Sequence, residues 1–421
     1  MKILHTSDWH LGQNFFNQSR KQEHQAFLNW LLQQIQSRSI DAVIVAGDIF
    51  DTGTPPSYAR EMLNQFVIGV HQQHCTLILL AGNHDSVATL NESKDIMAYL
   101  DTYIVAKASH DPEQQLIRLK DKQGKVSAYV CAIPFLRPRD ILQSQNNQNQ
   151  EDKQQALAQA ISQHYAHLYQ YALEQRQQEN NAHCPIIMTG HLTALGVTKS
   201  DAVRDIYIGT LDGFDANGFP PADYIALGHI HRPQIVGKQT QIRYCGSPIN
   251  LSFDELASEK KILLLDVNLA NATTIGISAI PIPCFQPMLQ LKGSLTQIKT
   301  QIDQYFSTYQ SDKTLWCSIN VTSENFRQDL LVKIQDILQD RPAQILQLTR
   351  SQKHDNQALV STKNETLAEL SPLDVFQKRL GLEQFPDLSD KQIQEKKTRL
   401  TQLFTTLIEE LNTTNIEDKN A

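Results

Sequence analysis

Five short apolar runs occur along the chain, and each ends in a small residue followed at once by a side chain able to bind metal. The runs occupy residues 2–7, 42–47, 77–82, 186–190 and 224–228. Runs of this length, rich in valine, isoleucine and leucine, predict buried strands that end in tight turns. Side chains that follow the carboxyl ends of strands converge on one crevice in layered α/β folds. We therefore expect the five turns to meet at a single place.

Amphipathic segments between the runs predict helices. Residues 58–67 are expected to form a helix that begins after the prolines at 55 and 56, and a second helix is expected through 97–100. Residues 141–180 are rich in glutamine and asparagine but place apolar side chains at helical spacing. We interpret this segment as a solvated surface helix inserted between strands, and the alternative is a prion-like polar tract.

The pattern changes after about residue 280. Three predicted strands alternate with two predicted helices, which is typical of a small α+β domain. These elements are expected at 288–291, 295–305, 315–321, 325–338 and 344–348.

The last seventy residues predict a linker and two helices. A polar stretch over 351–365 is followed by helix starts at Ser371 and Ser389, each a serine cap with an acidic residue close behind. The second helix carries an apolar stripe from Ile393 to Leu411, which either folds back on its own chain or docks on a partner's helices. The predicted divisions are 1–275, 280–350, a linker over 351–368, and a helical tail over 369–412.

The amino-acid composition indicates where the protein resides in the cell and which partners it can bind. No run is long enough to cross a membrane and the first residues lack the apolar stretch of a signal peptide, so we expect a cytoplasmic protein. Six scattered cysteines without a CxxC pair indicate buried, reduced thiols. The net charge of −7 argues against a general nucleic-acid binder. It does not exclude DNA, because two divalent cations at a carboxylate site leave a local charge of about +1.

The polar residues that follow the five runs form a mixed nitrogen and oxygen ligand set. Two pairs are spaced two residues apart, which places both members on one face at a strand end. One carboxylate stands alone and can bridge two cations. Such a set without thiolates suits Mn²⁺, Fe²⁺ or Zn²⁺. Two cations about 3.5–4 Å apart can hold a phosphodiester and generate hydroxide near neutral pH. The candidate ligands are Asp8, His10, Asp48, Asn83, His191, His229 and His231.

His84 follows one candidate ligand and precedes Asp85. We predict that His84 stays uncoordinated, that Asp85 orients its ring, and that it donates a proton to a leaving oxygen or stabilises the charged transition state. The alternative, that His84 is itself a metal ligand of the third run, stays open at this point.

Several sequence blocks resemble the calcineurin-like metallophosphoesterase superfamily, and further blocks narrow the resemblance to the SbcD family of bacterial nuclease subunits. The first set is Asp8-Trp9-His10, Gly47-Asp48-Ile49-Phe50-Asp51, Gly82-Asn83-His84-Asp85, Gly190-His191 and Gly228-His229-Ile230-His231. The second set is 6–12, 200–205, 225–231 and Gly246-Ser247-Pro248. The resemblance covers the whole first domain, and the order of parts continues to the C-terminus.

The resemblance implies a four-layer αββα metallophosphoesterase sandwich with a small α+β capping domain and a C-terminal helical tail. It implies two divalent metal ions, with Mn²⁺ preferred, Asp48 as the bridge, and His84 as the catalytic histidine supported by Asp85. Metal one would be bound by Asp8, His10, Asp48 and His231, and metal two by Asp48, Asn83, His191 and His229.

The resemblance also implies an activity and partners. The family cleaves double-stranded DNA from ends in a 3′→5′ direction with ATP, and cuts single strands and hairpins without it, in DNA end processing, recombination, replication and repair. The capping domain would contact DNA, and the tail would bind an SbcC-type, SMC-like ATPase in a cytoplasmic, nucleoid-associated complex. Homodimerisation would use the helices after Asp51 and after Asp85.

Three other functions compete with this interpretation. A phosphoprotein phosphatase would place an arginine after the second aspartate and a glutamate after the third-run histidine, whereas this chain has Asp51-Thr52-Gly53 and Asp85. A dimetal phosphodiesterase for small phosphodiesters needs neither a capping domain nor a partner-binding tail. A scaffold that has lost catalysis should lack ligands, and all are present. The chain has no GxxxxGK[ST] phosphate loop, so any ATP dependence must come from a partner.

Overall fold

The computed structural model describes residues 1–121, 123–142, 150–203, 213–268, 274–322 and 330–351, together with 380, 392, 396–401 and 403–404. The chain divides into two compact units, Met1–Gln352 and Lys353–Ala421. The first unit holds both predicted folded domains.

The strands and helices follow in chain order. The strands are β1 (Lys2–Thr6), β2 (Asn14–Phe15), β3 (Gln18–Ser19), β4 (Ala42–Val45), β5 (Thr76–Leu80), β6 (Thr102–Val105), β7 (Leu116–Lys120), β8 (Val126–Cys131), β9 (Ile186–His191), β10 (Tyr224–Gly228), β11 (Gln234–Val236), β12 (Gln239–Tyr244), β13 (Lys261–Asn268), β14 (Thr274–Pro281), β15 (Met288–Gly293), β16 (Leu315–Thr322) and β17 (Ala343–Ser351). The helices are α1 (Lys21–Arg38), α2 (Ser57–Gln72), α3 (Val87–Asn91), α4 (Lys94–Ala98), α5 (Pro138–Ile141), α6 (Gln150–Gln178), α7 (Leu295–Ser307) and α8 (Leu330–Leu338). Short 3₁₀ turns lie at Pro112–Gln115, Ala216–Gly218 and Phe253–Ala257.

Two six-stranded sheets carry the five apolar runs. The first sheet has the order β14-β13-β1-β4-β5-β6 and the second β11-β12-β10-β9-β8-β7. The neighbours β1, β4 and β5 are parallel in the first sheet, as are β9 and β10 in the second. Parallel strands share a carboxyl-end edge, so the ligand-bearing turns of each sheet lie along one edge.

The two sheets face each other across a buried apolar layer. Ile3, Ile44 and Ile78 of the first sheet share this layer with Ile187 and Ala226 of the second. Strands of a sheet covered on both faces read as nearly continuous apolar runs, because their side chains are buried on both sides. The pattern of the five runs therefore follows from this double burial.

Helices cover the outer face of each sheet. Phe27 of α1 and Phe66 of α2 belong to the core on the outside of the first sheet. Leu157, Ile161 and Tyr165 of α6 belong to the core on the outside of the second. The predicted four-layer αββα sandwich is thus confirmed. The helices predicted at 58–67 and within 141–180 are confirmed as α2 and α6. The helix predicted through 97–100 overlaps α4, which ends at Ala98.

The region after residue 284 forms a three-stranded parallel sheet, β15-β16-β17, with α7 and α8 packed on it. Ser294 opens α7 with a reciprocal capping box to Gln297. The predicted elements are observed here, and residues 325–329 of the second helix lie outside the described residues. This sheet touches the main sandwich through a small aromatic cluster, in which Trp316 stacks on Phe15.

The predicted linker over 351–368 and both helix starts in the tail lie outside the described residues, apart from residue 351 at the end of β17. The described tail residues at 380, 392, 396–401 and 403–404 are helical. Among the helices of the described residues, none is both long and apolar enough to span a membrane. The domain divisions stay predictions.

Candidate metal centre

The edges of the two sheets bring the predicted metal ligands together in two groups. Within each group, the candidate ligand atoms lie within 4.8 Å of one another, and every residue is buried. The groups are Asp8 with His10 and His231, and Asp48 with His191 and His229.

Asn83 joins the second group. Its side-chain oxygen lies 3.0 Å from Nε2 of His191 and 3.2 Å from Nδ1 of His229. All seven predicted ligands are therefore gathered at one place, as the five turns led us to expect. Their roles as ligands stay predictions.

The glycines that close the apolar runs are required by close packing between the turns. A Cβ on Gly82 would lie 2.1 Å from Oδ1 of Asp48, and one on Gly228 would lie 1.8 Å from the carbonyl oxygen of Ala46. Both distances are far below van der Waals contact. The absence of a side chain at these positions lets turns from different strands approach until their ligand side chains meet.

Four of the candidate ligands have left-handed backbone conformations. The φ angles are 54° at Asp8, 48° at His10, 49° at Asp48 and 95° at His229. Such conformations cost non-glycine residues about 1–3 kcal/mol each and cluster at functional sites. The backbone bonds from Asp8 N to Gly47 O and from His10 N to Asp48 O, both 3.0 Å, hold the first two turns in place.

The first group is held by hydrogen bonds that direct its donor atoms inwards. Ser7 donates to Asp8 at 2.6 Å. Nδ1 of His10 lies 3.1 Å from the Asp51 carboxylate, and Nδ1 of His231 lies 3.1 Å from the Glu255 carboxylate. When Nδ1 carries the proton and donates it, Nε2 keeps a lone pair for a metal.

In the second group, two oxygen atoms that accept hydrogen bonds lie close to one nitrogen of the His191 ring. Nδ1 of His191 lies 2.9 Å from the carbonyl oxygen of Ala46, so it acts as a donor there. Nε2 of the same ring lies 3.1 Å from Asp48 Oδ2 and 3.0 Å from Asn83 Oδ1. A lone pair on Nε2 would face two oxygens, which is favourable only with a cation between them, either a proton or a metal.

Electrostatics agree with a cation at this position. Burial lowers the pKa of His191, but the charge and hydrogen bond of Asp48 outweigh burial and raise this pKa to about 9. Burial raises the pKa of Asp48, whereas the nearby histidines lower it well below its usual range. Both shifts favour a positive charge between His191 and Asp48, and a divalent cation would supply it in place of a proton.

The residues present fit divalent metal. Nε2 of His10 is buried and has no hydrogen-bond partner in the described part of the chain. It lies 3.6 Å from Asp48 Oδ2, the oxygen that also faces His191. A buried nitrogen without a partner costs free energy that coordination would recover.

Comparisons with known proteins agree with this geometry. A sequence model of calcineurin-like phosphoesterases matches residues 1–233, and one described as the type 5 capsule protein repressor C-terminal domain matches 284–384. The SbcD protein of the SbcCD nuclease from Escherichia coli K12 is 50% identical over 411 residues, which cover 98% of both chains. The chain belongs to the SbcD family of calcineurin-like phosphoesterases.

More distant SbcD proteins match over most of the chain. The SbcD protein from Rhodobacter capsulatus is 34% identical over 305 residues, 70% of this chain and 73% of that protein. The one from Bacillus subtilis is 24% identical over 327 residues, 76% of this chain and 79% of that protein. Membership of the SbcD family makes this chain a metal-dependent phosphoesterase.

His84 lies beside the second turn. Its backbone N–H donates to Asp48 Oδ1 at 2.9 Å, and its Nδ1 lies 2.7 Å from the carbonyl oxygen of Asp51. The carbonyl can only accept, so Nδ1 carries the proton and Nε2 is the basic nitrogen of the neutral ring. His84 also forms a compact group with His10 and Asp48, so the alternative of a ligand role stays open.

The prediction that Asp85 orients the His84 ring stays a prediction. The Asp85 carboxylate accepts backbone N–H groups from Gly82, Phe50 and Ile49, at 2.8, 2.9 and 3.1 Å. Nδ1 of the His84 ring lies against the carbonyl oxygen of Asp51. Burial, with the charge of Asp48, raises the pKa of Asp85 to about 6 although these amides lower it. Asp85 therefore joins the second and third turns.

Sequence reasoning missed two residues of the SbcD site. Asp51 holds His10 with its carboxylate and His84 with its carbonyl. Asp51 belongs to the sequence block 47–51, but that block did not indicate its role in holding the two histidines. Glu255 holds His231 from a 3₁₀ turn that no sequence pattern marked.

Proposed function

We propose that this chain is the DNA nuclease component of an SbcCD-type complex. It acts as an ATP-dependent 3′→5′ exonuclease on double strands and as an ATP-independent endonuclease on single strands and hairpins. The observation that carries the proposal is the complete two-group site with His84 held against Asp48, in a chain whose named nuclease relative matches it over 98% of its length.

The site would hold two divalent ions, which we assign as Mn²⁺. Asp48 would be the residue shared by both ions, because its Oδ2 lies 3.1 Å from Nε2 of His191 and 3.6 Å from Nε2 of His10. Bound metals would orient the phosphodiester, supply a nucleophilic hydroxide and stabilise developing charge. Metal one would be held by Asp8, His10, Asp48 and His231, and metal two by Asp48, Asn83, His191 and His229.

His84 is the catalytic histidine in this proposal. The bond from Nδ1 to the Asp51 carbonyl fixes the ring and its tautomer, so a proton gained by the ring sits on Nε2. That proton goes to the leaving oxygen as the phosphodiester bond breaks, or the charged ring stabilises the transition state. Asp85 holds the second and third turns at the spacing that this geometry needs.

The capping domain and the tail have binding roles in this proposal. The domain over 280–350 contacts DNA, and the tail over 369–412 binds the coiled coil of an SbcC-type, SMC-like ATPase. The tail carries the apolar stripe of its second predicted helix, and the chain itself has no phosphate loop to bind ATP. The complex works in the cytoplasm at the nucleoid.

Cleavage of an end-labelled DNA hairpin tests the nuclease proposal. With Mn²⁺, we expect the purified chain to cut the hairpin and single strands, and a chelator to stop the reaction. Adding the ATPase partner and ATP should extend cleavage to the ends of duplex DNA. Turnover of a generic phosphodiester with no cleavage of any DNA would favour the small-phosphodiester enzyme instead.

The helices after Asp51 and Asp85 provide a surface for the homodimer that we propose. Large apolar side chains are exposed on α2, on α4 and directly after it, and on β6. Ile96 is 70% exposed and Tyr99 is 87% exposed. Ile68 and Tyr103 are each 47% exposed. Apolar side chains grouped in this way mark an interaction surface.

Charge on this surface should break the dimer. Burial of one such side chain is worth about 1.5–3 kcal/mol, so we expect Ile96→Glu/Tyr99→Glu to weaken self-association by about 100-fold or more. Sedimentation velocity over a concentration series measures the change. Leu331→Glu, on α8 of the capping domain and half exposed, is the matched control and should leave the dimer intact. A double variant that sediments like the unaltered chain would exclude this surface.

A further inference from the structure

Ser200 and Ser247 belong to two segments singled out in the sequence, 200–205 and 246–248, and both contact one buried carboxylate. Glu255 is fully buried on the 3₁₀ turn Phe253–Ala257. Ser200 donates to its Oε1 at 2.7 Å, and Ser247 lies 3.3 Å from its Oε2. Neither segment carries a candidate metal ligand, so the phosphoesterase chemistry alone does not account for them.

Glu255 is paired with a buried cation. Nζ of Lys260 lies 2.6 Å from Oε2 of Glu255, and it also donates to Ser247 Oγ at 2.8 Å and to the carbonyl of His231 at 3.2 Å. The backbone N–H of Leu251 donates to the same Oε2 at 3.0 Å. A buried ion pair is tolerated only when its remaining donors and acceptors are satisfied, and this one has several partners.

The other oxygen of Glu255 reaches the candidate metal centre. Oε1 lies 3.1 Å from Nδ1 of His231, while it also accepts the Ser200 hydroxyl. A carboxylate on the outer nitrogen of a coordinating imidazole fixes its tautomer and orientation and makes it a better donor. His191 has only a neutral backbone carbonyl in the equivalent place.

We propose that Glu255 is the positioning residue of the first metal, acting through His231, with Lys260 as its fixed counter-ion. Through Ser200, the same oxygen ties the loop that follows β9 to the metal centre. The proposal rests on the proposed assignment of His231 as a metal ligand, and the test separates the two.

The experiment is a calorimetric titration of the full-length chain with MnCl₂, with the spectrum of the coupled Mn²⁺ pair followed by electron paramagnetic resonance. Glu255→Leu/Lys260→Met removes the acceptor without leaving a buried unpaired charge. We expect the dissociation constant of one of the two ions to rise about 10–100-fold, and the coupled spectrum to be lost at low metal. Glu255→Gln/Lys260→Met keeps an amide oxygen for Nδ1 of His231 and should restore most of the affinity.

A second variant covers the case in which the leucine variant does not fold. Glu255→Asp keeps the charge opposite Lys260 but withdraws the oxygen from His231, and it should raise the same dissociation constant. Asp254→Asn is the matched control, because Asp254 lies on the same turn and binds Arg232 and the Asp201 amide rather than a candidate ligand. It should bind both ions as the unaltered chain does.

The outcomes distinguish the positioning role of Glu255 from the assignment of His231 as a metal ligand. Loss of one ion in His231→Ala and in the Glu255 variants, with rescue by glutamine, supports the proposal. Loss in His231→Ala but normal binding in Glu255→Leu/Lys260→Met and Glu255→Asp overturns it. An equal loss in Asp254→Asn also overturns it, since the turn would then matter only for packing. Normal binding of two ions by His231→Ala would instead refute the ligand assignment itself.

Discussion

Asp48→Asn is expected to abolish binding of both metal ions at micromolar Mn²⁺ and to reduce DNA cleavage by about 10³-fold or more, because metal ions contribute several kcal/mol of transition-state stabilisation. The Asp48 carboxylate lies between side chains of both candidate ligand groups. Its Oδ2 faces Nε2 of both His191 and His10, and its Oδ1 accepts the backbone N–H of His84. An asparagine keeps the shape but offers one oxygen and no charge. Metal content by mass spectrometry after gel filtration, together with hairpin cleavage rates, measures both effects.

The matched control for Asp48→Asn is Asp215→Asn. Asp215 caps a short 3₁₀ turn by accepting the Asn217 backbone N–H at 2.9 Å, and asparagine caps such a turn equally well. The control should bind two ions and cleave normally. If Asp48→Asn retained both ions at full occupancy, Asp48 would not be the bridge.

His84→Gln is expected to keep both metal ions and to lose most DNA cleavage, by about 10²-fold or more, as for removal of a general acid. Glutamine retains an N–H that can donate to the Asp51 carbonyl, so the turn should be preserved. It cannot hold the proton or the positive charge that Nε2 of His84 can. Cleavage rates at saturating Mn²⁺ and a Mn²⁺ titration of the same sample separate the chemical defect from a binding defect.

The same pair of measurements decides between the two roles left open for His84. If the variant loses one ion and recovers its rate at high Mn²⁺, His84 is a ligand. Near-normal cleavage at every metal concentration would remove His84 from the mechanism. His71→Gln, on a surface ion pair with Asp101, controls for the substitution itself and should change neither quantity.

The relation between the two sheets explains why the site is so compact. The ligand turns of β1, β4 and β5 come from one sheet and those of β9 and β10 from the other. Nδ1 of His191 reaches across to the Ala46 carbonyl, and the backbone N–H of His229 donates to Asp8 at 2.9 Å. Each sheet therefore positions ligands carried by the other, which makes the metal centre part of the packing between the two sheets.

The sequence by itself determined the five ligand-bearing strands and the candidate metal ligands, and its resemblance to a known family implied the fold class. Burial on both faces of a strand needs uninterrupted apolar residues, and close approach of two turns needs glycine, so both constraints leave local patterns in the sequence. The outer helices α2 and α6 were predictable for the same reason, since one buried stripe repeats at helical spacing. These features depend on residues that are neighbours in the chain.

Only the tertiary structure decided which side chains form hydrogen bonds with the candidate ligands. Asp51 lies 41 residues from His10, and Glu255 lies 24 residues from His231, so neither partner leaves a periodic signal. The Asp85 carboxylate accepts the backbone N–H groups of Ile49, Phe50 and Gly82, and the position of Asp85 next to His84 in the chain did not indicate these bonds. A hydrogen bond needs two atoms within about 3 Å, and at this site that distance is set by how two sheets pack rather than by the local sequence.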